Sequence, residues 1–428
     1  MASFTTVNDK IRGCLVGGAL GDAIGLFTEF FSSQQAREYY GDSPKFKLRP
    51  PAPSGFNYRV MHIDRHRGAF EEAGWTDDTD QALLILMAFL KNGGPGEGIQ
   101  AQDFATRLKH WVSFGFRPLD RLPLGLGRTV GSVVRSESFL NDPIGRSTEV
   151  WESGGRVMAA NGAVMRTPIV GALFYMNQGA LYSTAIDIAA TTHADPRCLA
   201  SCTIASALVA AIMRDELKTE DDIRKIVEDS LVPIMSREVS LSEEHVKELH
   251  DIIWKNDIVE MELDGRRSIG YTYKCLACGV WALRQGLAAL STPVDDPHKL
   301  AHVFERVITD LTMAAGDSDT NCAVAGSLLG CLIGYANLPA GWKEDLKHRD
   351  WLLSKADAAT YLITRQGTPY SQAEDADNLV DGGKGIMSKE EIDAKWLVMM
   401  ETLHKRTGDI DDLGKVKKAK VRDDCIIA

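Results

Sequence analysis

Trp75-Thr76-Asp77-Asp78-Thr79-Asp80 runs directly into Gln81-Ala82-Leu83-Leu84-Ile85-Leu86-Met87, and Gly316-Asp317-Ser318-Asp319-Thr320-Asn321 runs in the same way into Cys322-Ala323-Val324-Ala325-Gly326. Both are short acidic clusters placed where a long apolar helix begins. A single Thr or Asp is enough to cap a helix N-terminus. Several hydroxyl and carboxylate residues in a row exceed that need, and carboxylates gathered in one place repel one another unless a cation is present. Oxygen-only ligands select hard cations such as Mg²⁺, Mn²⁺ or Ca²⁺ over zinc.

Outward from these two starts, apolar residues recur at helical spacing while period-two alternation is nearly absent, so the chain reads as all-α. The pattern predicts helices over 8–24, 79–91, 101–115, 128–138, 160–176, 181–191, 197–214, 220–230, 242–256, 273–290, 299–314, 320–336 and 388–407. The last is bounded by a capping box, Ser388-x-x-Glu391, and by Gly408. Small residues such as Gly17-Gly18-Ala19 and Ala323-Val324-Ala325-Gly326 allow close helix approach in a multi-layered bundle. Three turn-rich stretches, Gly41–Gly68, Asn141–Gly155 and Gln366–Gly385, read as loops, and the first two are long enough to wall a substrate cleft. No composition shift or internal repeat divides the chain, which predicts one compact domain over 1–412 and a basic tail over 413–428.

Other function classes fit poorly. A net charge of -11 over 428 residues argues against a general nucleic-acid surface. No run of uninterrupted apolar residues reaches the length of a membrane span, and Met1–Lys10 lacks the layout of a secretory signal, so a cytoplasmic protein is expected. The eight cysteines sit mostly among Ala, Leu and Val; Cys275-x-x-Cys278 is spaced like half a zinc site, but core packing is the better reading. Asp317-x-Asp319-x-Asn321 begins like a calcium loop, yet its sixth position is Cys322 and its twelfth Leu328, where such a loop needs Gly and Glu. There is no Walker-type loop, and Gly125-Leu126-Gly127-Arg128-Thr129-Val130-Gly131 misses the dinucleotide fingerprint by one residue.

Gly21-Asp22-Ala23-Ile24-Gly25-Leu26-Phe27-Thr28-Glu29 adds a third acidic element: Asp22 and Glu29 interrupt an apolar helical stretch and are therefore paired or face a polar cavity. At the other end Lys415, Lys417, Lys418, Lys420 and Arg422 precede Cys425-Ile426-Ile427-Ala428. This fits the pattern for prenylation of Cys425, with Ala favouring farnesyl and the basic run as second membrane signal; the alternative is a tail with a chance cysteine.

Gly13–Glu29, Gly74–Thr79, Asn161-Gly162-Ala163-Val164-Met165-Arg166, Thr192-His193 and Gly316–Asn321 resemble, in order, the successive motifs of the ADP-ribosylglycohydrolase family (dinitrogenase-reductase-activating glycohydrolase-like ADP-ribosylhydrolases) across roughly residues 10–340. The resemblance implies a compact orthogonal multi-helix bundle with two Mg²⁺ or Mn²⁺ ions at the bottom of a cleft. By motif, Thr76, Asp77 and Asp78 are implied to hold one ion and Asp317 and Glu29 the other, with Asp319 and Thr320 between them. Asn161, Gly162 and His193 are implied to line the ADP-ribose site, joined by Gly125, Gly127 and Ser318; Glu29 or Asp319 is implied as the catalytic group. A lone His after an apolar helix is otherwise more often a core residue.

The reaction implied is cleavage of the C1″ glycosidic bond of ADP-ribosylated protein side chains or small ADP-ribosyl conjugates, releasing ADP-ribose. Arginine-directed bacterial members resemble one another in an Asp-x-Gly-x-Thr-Thr segment, whereas the corresponding stretch here, Gly125-Leu126-Gly127-Arg128-Thr129-Val130, has no acidic residue. A guanidinium leaving group would lose a carboxylate partner there. Rival readings are a catalytically inactive ADP-ribose-binding or structural member of the fold, and a two-metal phosphoesterase, which normally adds His ligands.

Overall fold

The computed structural model describes residues 4–50, 57–292 and 296–407. Gly408, the 413–428 tail and Cys425 lie outside these residues. The helices in chain order begin with α1 (Phe4–Gly25), α2 (Ser33–Tyr40), α3 (Asp77–Lys91), α4 (Ala101–Phe114), α5 (Arg128–Val134) and α6 (Pro143–Ser153). They continue with α7 (Pro168–Phe174), α8 (Gln178–Ala190), α9 (Pro196–Met213), α10 (Glu220–Met235), α11 (Glu243–Ile253) and α12 (Thr272–Ser291). The last are α13 (Lys299–Ala314), α14 (Ser318–Ile333), α15 (Ala340–Asp345), α16 (Arg349–Thr364) and α17 (Lys389–Thr407). The strand content among the described residues is one parallel pairing, Lys45–Phe46 with Tyr58–Arg59.

Most helices predicted from apolar spacing form within a few residues of their expected bounds. The helix expected over 160–176 does not: Val164–Arg166 is a 3₁₀ turn and α7 starts at Pro168. Proline lacks the N–H that a continuous helix would need and restricts the residue before it, so the chain restarts there. Asn141–Gly155, expected as a loop, is largely α6, capped by Asp142 with Pro143 in its first turn.

The bundle is organised by α1 against α14. Gly13, Gly17, Gly21 and Gly25 recur every fourth residue and line one stripe of α1, facing Gly330, Gly326, Cys322 and Ser318 of α14 in reverse order. The two helices therefore run antiparallel with backbones in direct contact. A Cβ on Gly21 would lie 1.9 Å from Cys322 O, and one on Gly326 would lie 2.2 Å from Gly17 O. The consequence is positional: the C-terminal end of α1, carrying Asp22 and leading to Glu29, meets the N-terminal end of α14, carrying Asp317 and Asp319.

Helix α12 packs on α14, and α9 lies among α7, α8 and α10. By composition α9 alone among the described helices is long and apolar enough to cross a membrane, but 94% of it is buried within the fold. Its uniform apolarity is that of a core helix. Seven buried cysteines, Cys275 and Cys278 among them, are free thiols.

Candidate active site

Asp22 joins α3 to the α1–α14 pair. Its fully buried carboxylate accepts from Thr76 N (2.8 Å), Thr79 N (3.0 Å) and Thr79 Oγ1 (2.6 Å). It thereby answers amides that the start of α3 leaves unsatisfied and pins that helix end to α1. Burial nevertheless raises its pKa to about 6 against these hydrogen bonds. The sequence marked Asp22 as paired or cavity-facing, and the structure shows it paired.

Three acidic segments converge at this joint. One carboxylate oxygen each from Glu29, Asp317 and Asp319 lies within 4.8 Å of the others. Thr76 caps α3 and donates its hydroxyl to Asp78 Oδ2 at 3.1 Å, while Asp78 Oδ1 is buried without a partner. Asp78, Asp77 and Asp319 are all pushed well above the usual carboxylate range, by burial first and then by mutual repulsion. Asp317 is among the charges acting on Asp78, and Asp78 among those acting on Asp319, so the two clusters share one site. Asp317 itself rises to about 6 through burial and Glu29. Converging hard oxygen donors, an orphaned carboxylate oxygen and uncompensated negative charge fit a divalent cation.

Thr320 sits beside the trio with its N–H bonded to Asp319 Oδ1 at 2.8 Å. Asn161 Nδ2 donates to Asp317 Oδ2 at 2.9 Å, and Asn161 N to Gly270 O at 3.0 Å. A Cβ on Gly270 would stand 3.1 Å from Asp317 Oδ2 and 3.4 Å from Asn161 Oδ1, so this glycine keeps the corner open.

A buried polar chain carries the arrangement to His193. Gln81 Nε2 donates to Asp77 Oδ2 (2.8 Å), and Arg166 Nη1 donates to Gln81 Oε1 (2.7 Å). Arg166 Nη2 donates to Thr192 Oγ1 (2.7 Å), which bonds His193 Nδ1 (2.7 Å). Burial lowers Arg166 to about 10, and burial with the Arg166 charge lowers His193 to about 3, so the imidazole is neutral near pH 7. Its far edge abuts Gly162, where a Cβ would be 3.2 Å from Cε1.

Gly125, at φ +87°, passes so close to Asp77 that a Cβ would lie 2.3 Å from Oδ1; Gly127 has open space around it. Ser318 is placed differently from the rest of the expected ligand-facing set. It is fully buried, and its hydroxyl bonds Gly25 O (2.8 Å) and Thr28 Oγ1 (3.0 Å) within the α1–α14 joint. Asp80 likewise turns inward to Trp75 Nε1 (2.8 Å) and Trp111 Nε1 (3.1 Å).

Gly270 and His66 are site residues that the sequence reading does not single out. His66 lies in the expected loop before α3, and its Nε2 is 2.5 Å from Glu29 Oε2. Arg67 holds this loop by donating to Phe27 O at 2.9 Å, to Glu29 O and to Asp64. Nothing in the spacing of Gly41–Gly68 points to the glutamate, because the contact depends on how the loop folds back over α1.

Comparison with known proteins agrees with this architecture. The chain is 24% identical over 81% of its length to an uncharacterized protein of Archaeoglobus fulgidus, covering 94% of that protein. It is 21% identical to the ADP-ribosylarginine hydrolase Tri1 of Serratia proteamaculans, over 84% of this chain and 81% of that one. It is 19% identical to human ADP-ribosylhydrolase ARH3, over 78% of this chain and 88% of that one. Among solved structures, an ADP-ribosylglycohydrolase-related protein complex superposes with a TM-score of 0.52 at 21% identity, over 83% of this chain and 98% of the other, which establishes the shared fold. The family model for ADP-ribosylglycohydrolases matches residues 3–371, so every acidic segment described above falls within it while α17 does not. The chain belongs to the ADP-ribosylglycohydrolase family, and is a glycohydrolase of the kind that acts on ADP-ribosyl linkages.

Proposed function

We propose that the protein is a dinuclear-metal-dependent hydrolase that cleaves the C1″ glycosidic bond of ADP-ribosylated side chains or small ADP-ribosyl conjugates and releases ADP-ribose. The observation that carries the reading is the meeting of Glu29, Asp317 and Asp319 beside the orphaned Asp78 Oδ1. Thr76, Asp77 and Asp78 would hold one Mg²⁺ or Mn²⁺; Glu29 and Asp317 the other, with Asp319 and Thr320 between them. When bound, such ions supply electrophilic charge and an oxygen template beside the anomeric carbon.

The chain's own residues do the rest. Carboxylates clustered beside C1″ stabilise the oxocarbenium character that builds as the glycosidic bond breaks. Asp319 or Glu29 moves the proton between water and the leaving group. Asn161 fixes the orientation of Asp317, and neutral His193, held by Thr192, offers its far nitrogen edge to the ADP-ribose. Gly125, Gly162 and Gly270 keep the walls low enough for a sugar to approach.

The stretch from Gly125 into the first turn of α5, beside Asp77, carries no carboxylate, so a departing guanidinium finds no partner on it. Arginine-linked ADP-ribose is therefore expected to turn over more slowly than serine- or O-acetyl-linked conjugates. The test is release of ADP-ribose from all three after chelation and readdition of Mg²⁺ or Mn²⁺. Turnover restored by metal supports the reading; metal-dependent binding of ADP-ribose without turnover on any substrate would replace it with a binding role.

Cytoplasmic residence and a membrane anchor at Cys425 belong to the same proposal, read from sequence composition and the Cys-Ile-Ile-Ala pattern. Mass measurement of the C-terminal peptide from a eukaryotic host distinguishes a farnesylated from an unmodified cysteine.

A further inference from the structure

Helix α17 lies beyond the family match and buries little of itself. Ile392 is the one buried side chain among its described residues, while Leu397 and Val398 are more than 60% exposed. Trp396, Met399 and Leu403 are half-buried on the same face as Ile392, a narrow apolar stripe that specific polar contacts supplement in placing this 19-residue helix.

These contacts occur at two points, on the 118–120 turn that follows α4 and on the 68–70 turn that precedes α3. Near the middle of α17, Lys395 pairs with Asp120, and Gly382 just before the helix abuts Pro118, where a Cβ would be 2.9 Å from its N. At the far end, Arg406 Nη1 donates to Gly68 O (2.8 Å) and Phe70 O (2.6 Å). Leu403 Cδ1 closes on Gly68, 2.7 Å from where a Cβ would stand. Both carbonyls belong to the turn that carries His66, whose ring stands edge-on to Phe70 at 5.5 Å and beside Phe30 at 5.3 Å. Arg67 fastens the same turn from beneath to Phe27 O and Glu29 O.

We infer that α17 is a strap added to the family domain whose Arg406 and Leu403 act as positioning residues, holding the 64–70 turn so that His66 orients the Glu29 carboxylate. The inference deepens the proposed function and rests on it. Partners that orient a metal-binding carboxylate typically change affinity or activity by about 10–100-fold when removed, and Arg406 acts one step further out through His66. About a tenfold loss is expected from it.

The test uses the full-length chain and compares Arg406→Ala, Arg406→Lys, His66→Ala, the Arg406→Ala/His66→Ala double variant and Val398→Ala as an exposed control on the same helix. Arg406→Ala should lower kcat about tenfold with little change in KM and little change in melting temperature. Arg406→Lys, which keeps donors for both carbonyls, should recover most of the loss. The double variant should be no worse than His66→Ala alone, because the two act in series. Losses that multiply, or a normal kcat in Arg406→Ala, overturn the inference.

Hydrogen exchange over residues 61–73, measured without substrate or metal, gives a second readout. Faster exchange in Arg406→Ala but not in Val398→Ala supports the strap, and unchanged exchange overturns it. If the wild-type chain releases ADP-ribose from no substrate, the functional reading fails, and the exchange result still decides whether α17 holds the turn.

Discussion

The two acidic helix starts look alike in sequence and differ in what answers their charge. At α3, Asp80 is taken by two indole N–H groups, Asp77 by Gln81, and the first amides of the helix by Asp22. At α14, Asp317 and Asp319 face Glu29 with their oxygens within 4.8 Å of one another. The first cluster gives Asp80 to the scaffold and leaves Asp78 Oδ1 without a partner, whereas both carboxylates of the second meet Glu29 in the open trio. An acidic run before a helix is thus a mixture of structural caps and candidate ligands, sorted by which partners the tertiary fold brings.

That contrast can be broken experimentally, and the widest gap comes from the open cluster. Asp319→Asn or Asp317→Asn should lower ADP-ribose release about a thousandfold, as expected when charge aimed at a transition state is removed, with the fold intact by circular dichroism. Asp80→Asn should do the opposite: activity of the remaining folded protein within a few fold, but a loss of about 2–3 kcal/mol in denaturant unfolding, because buried charged hydrogen bonds are removed. If Asp80→Asn destroyed turnover without destabilising the protein, the division between scaffold and ligand would be wrong.

A smaller effect tests the joint that brings the clusters together. Gly21→Ala places a methyl against Cys322 O, and overpacking of this kind costs about 1–3 kcal/mol; unfolding in urea should show it, with turnover falling as the α1 and α14 ends separate. Asn161→Ala, which removes one charged hydrogen bond to Asp317, should raise KM for substrate about tenfold. The mildest test concerns Glu71, on the approach to Trp75. Burial works against its charge, but the His348 hydrogen bond, Arg121 and Lys347 outweigh it and lower its pKa from 4.5 to about 2. The folded state thus binds the proton less readily than the unfolded chain, so Glu71 stabilises above pH 4.5 and this contribution disappears as pH falls toward 2. Glu71→Gln should flatten the stability profile across that window, measured by thermal unfolding.

The helical class and most helix positions were legible because apolar spacing and caps are local signals. Apolar spacing does not predict α16: its apolar face is broken by Lys355 and Asp357, and Lys355 is buried because Asp375 (2.7 Å) and Asp377 (2.9 Å), from the following loop, pair with it. For α6 the Asp142-Pro143 pair is both a turn signal and a helix start, and only the packing of the following residues decides between them. At the site, residue types were legible while directions were not. Ser318 follows Asp317 in the motif yet turns into the α1 joint, and His66 reaches Glu29 through a loop whose path no periodicity encodes. Among the described residues, the close trio of Glu29, Asp317 and Asp319 fits one cation position; the second ion rests on the family resemblance and on the orphaned Asp78 oxygen.

The stripe of glycines between α1 and α14 has a further consequence for how this chain can diverge. Backbone contact fixes how the end of α1 approaches Asp317 and Asp319 without any side chain that could drift by small steps, so this joint of the site is frozen by geometry. In the 125–130 segment Gly127 and Arg128 are exposed at the rim and free to be rewritten, whereas Leu126 and Val130 are buried and the turn around His66 is tied to Glu29. New leaving-group preferences can therefore be acquired, or engineered, by exchanging the rim while the carboxylate frame is inherited unchanged.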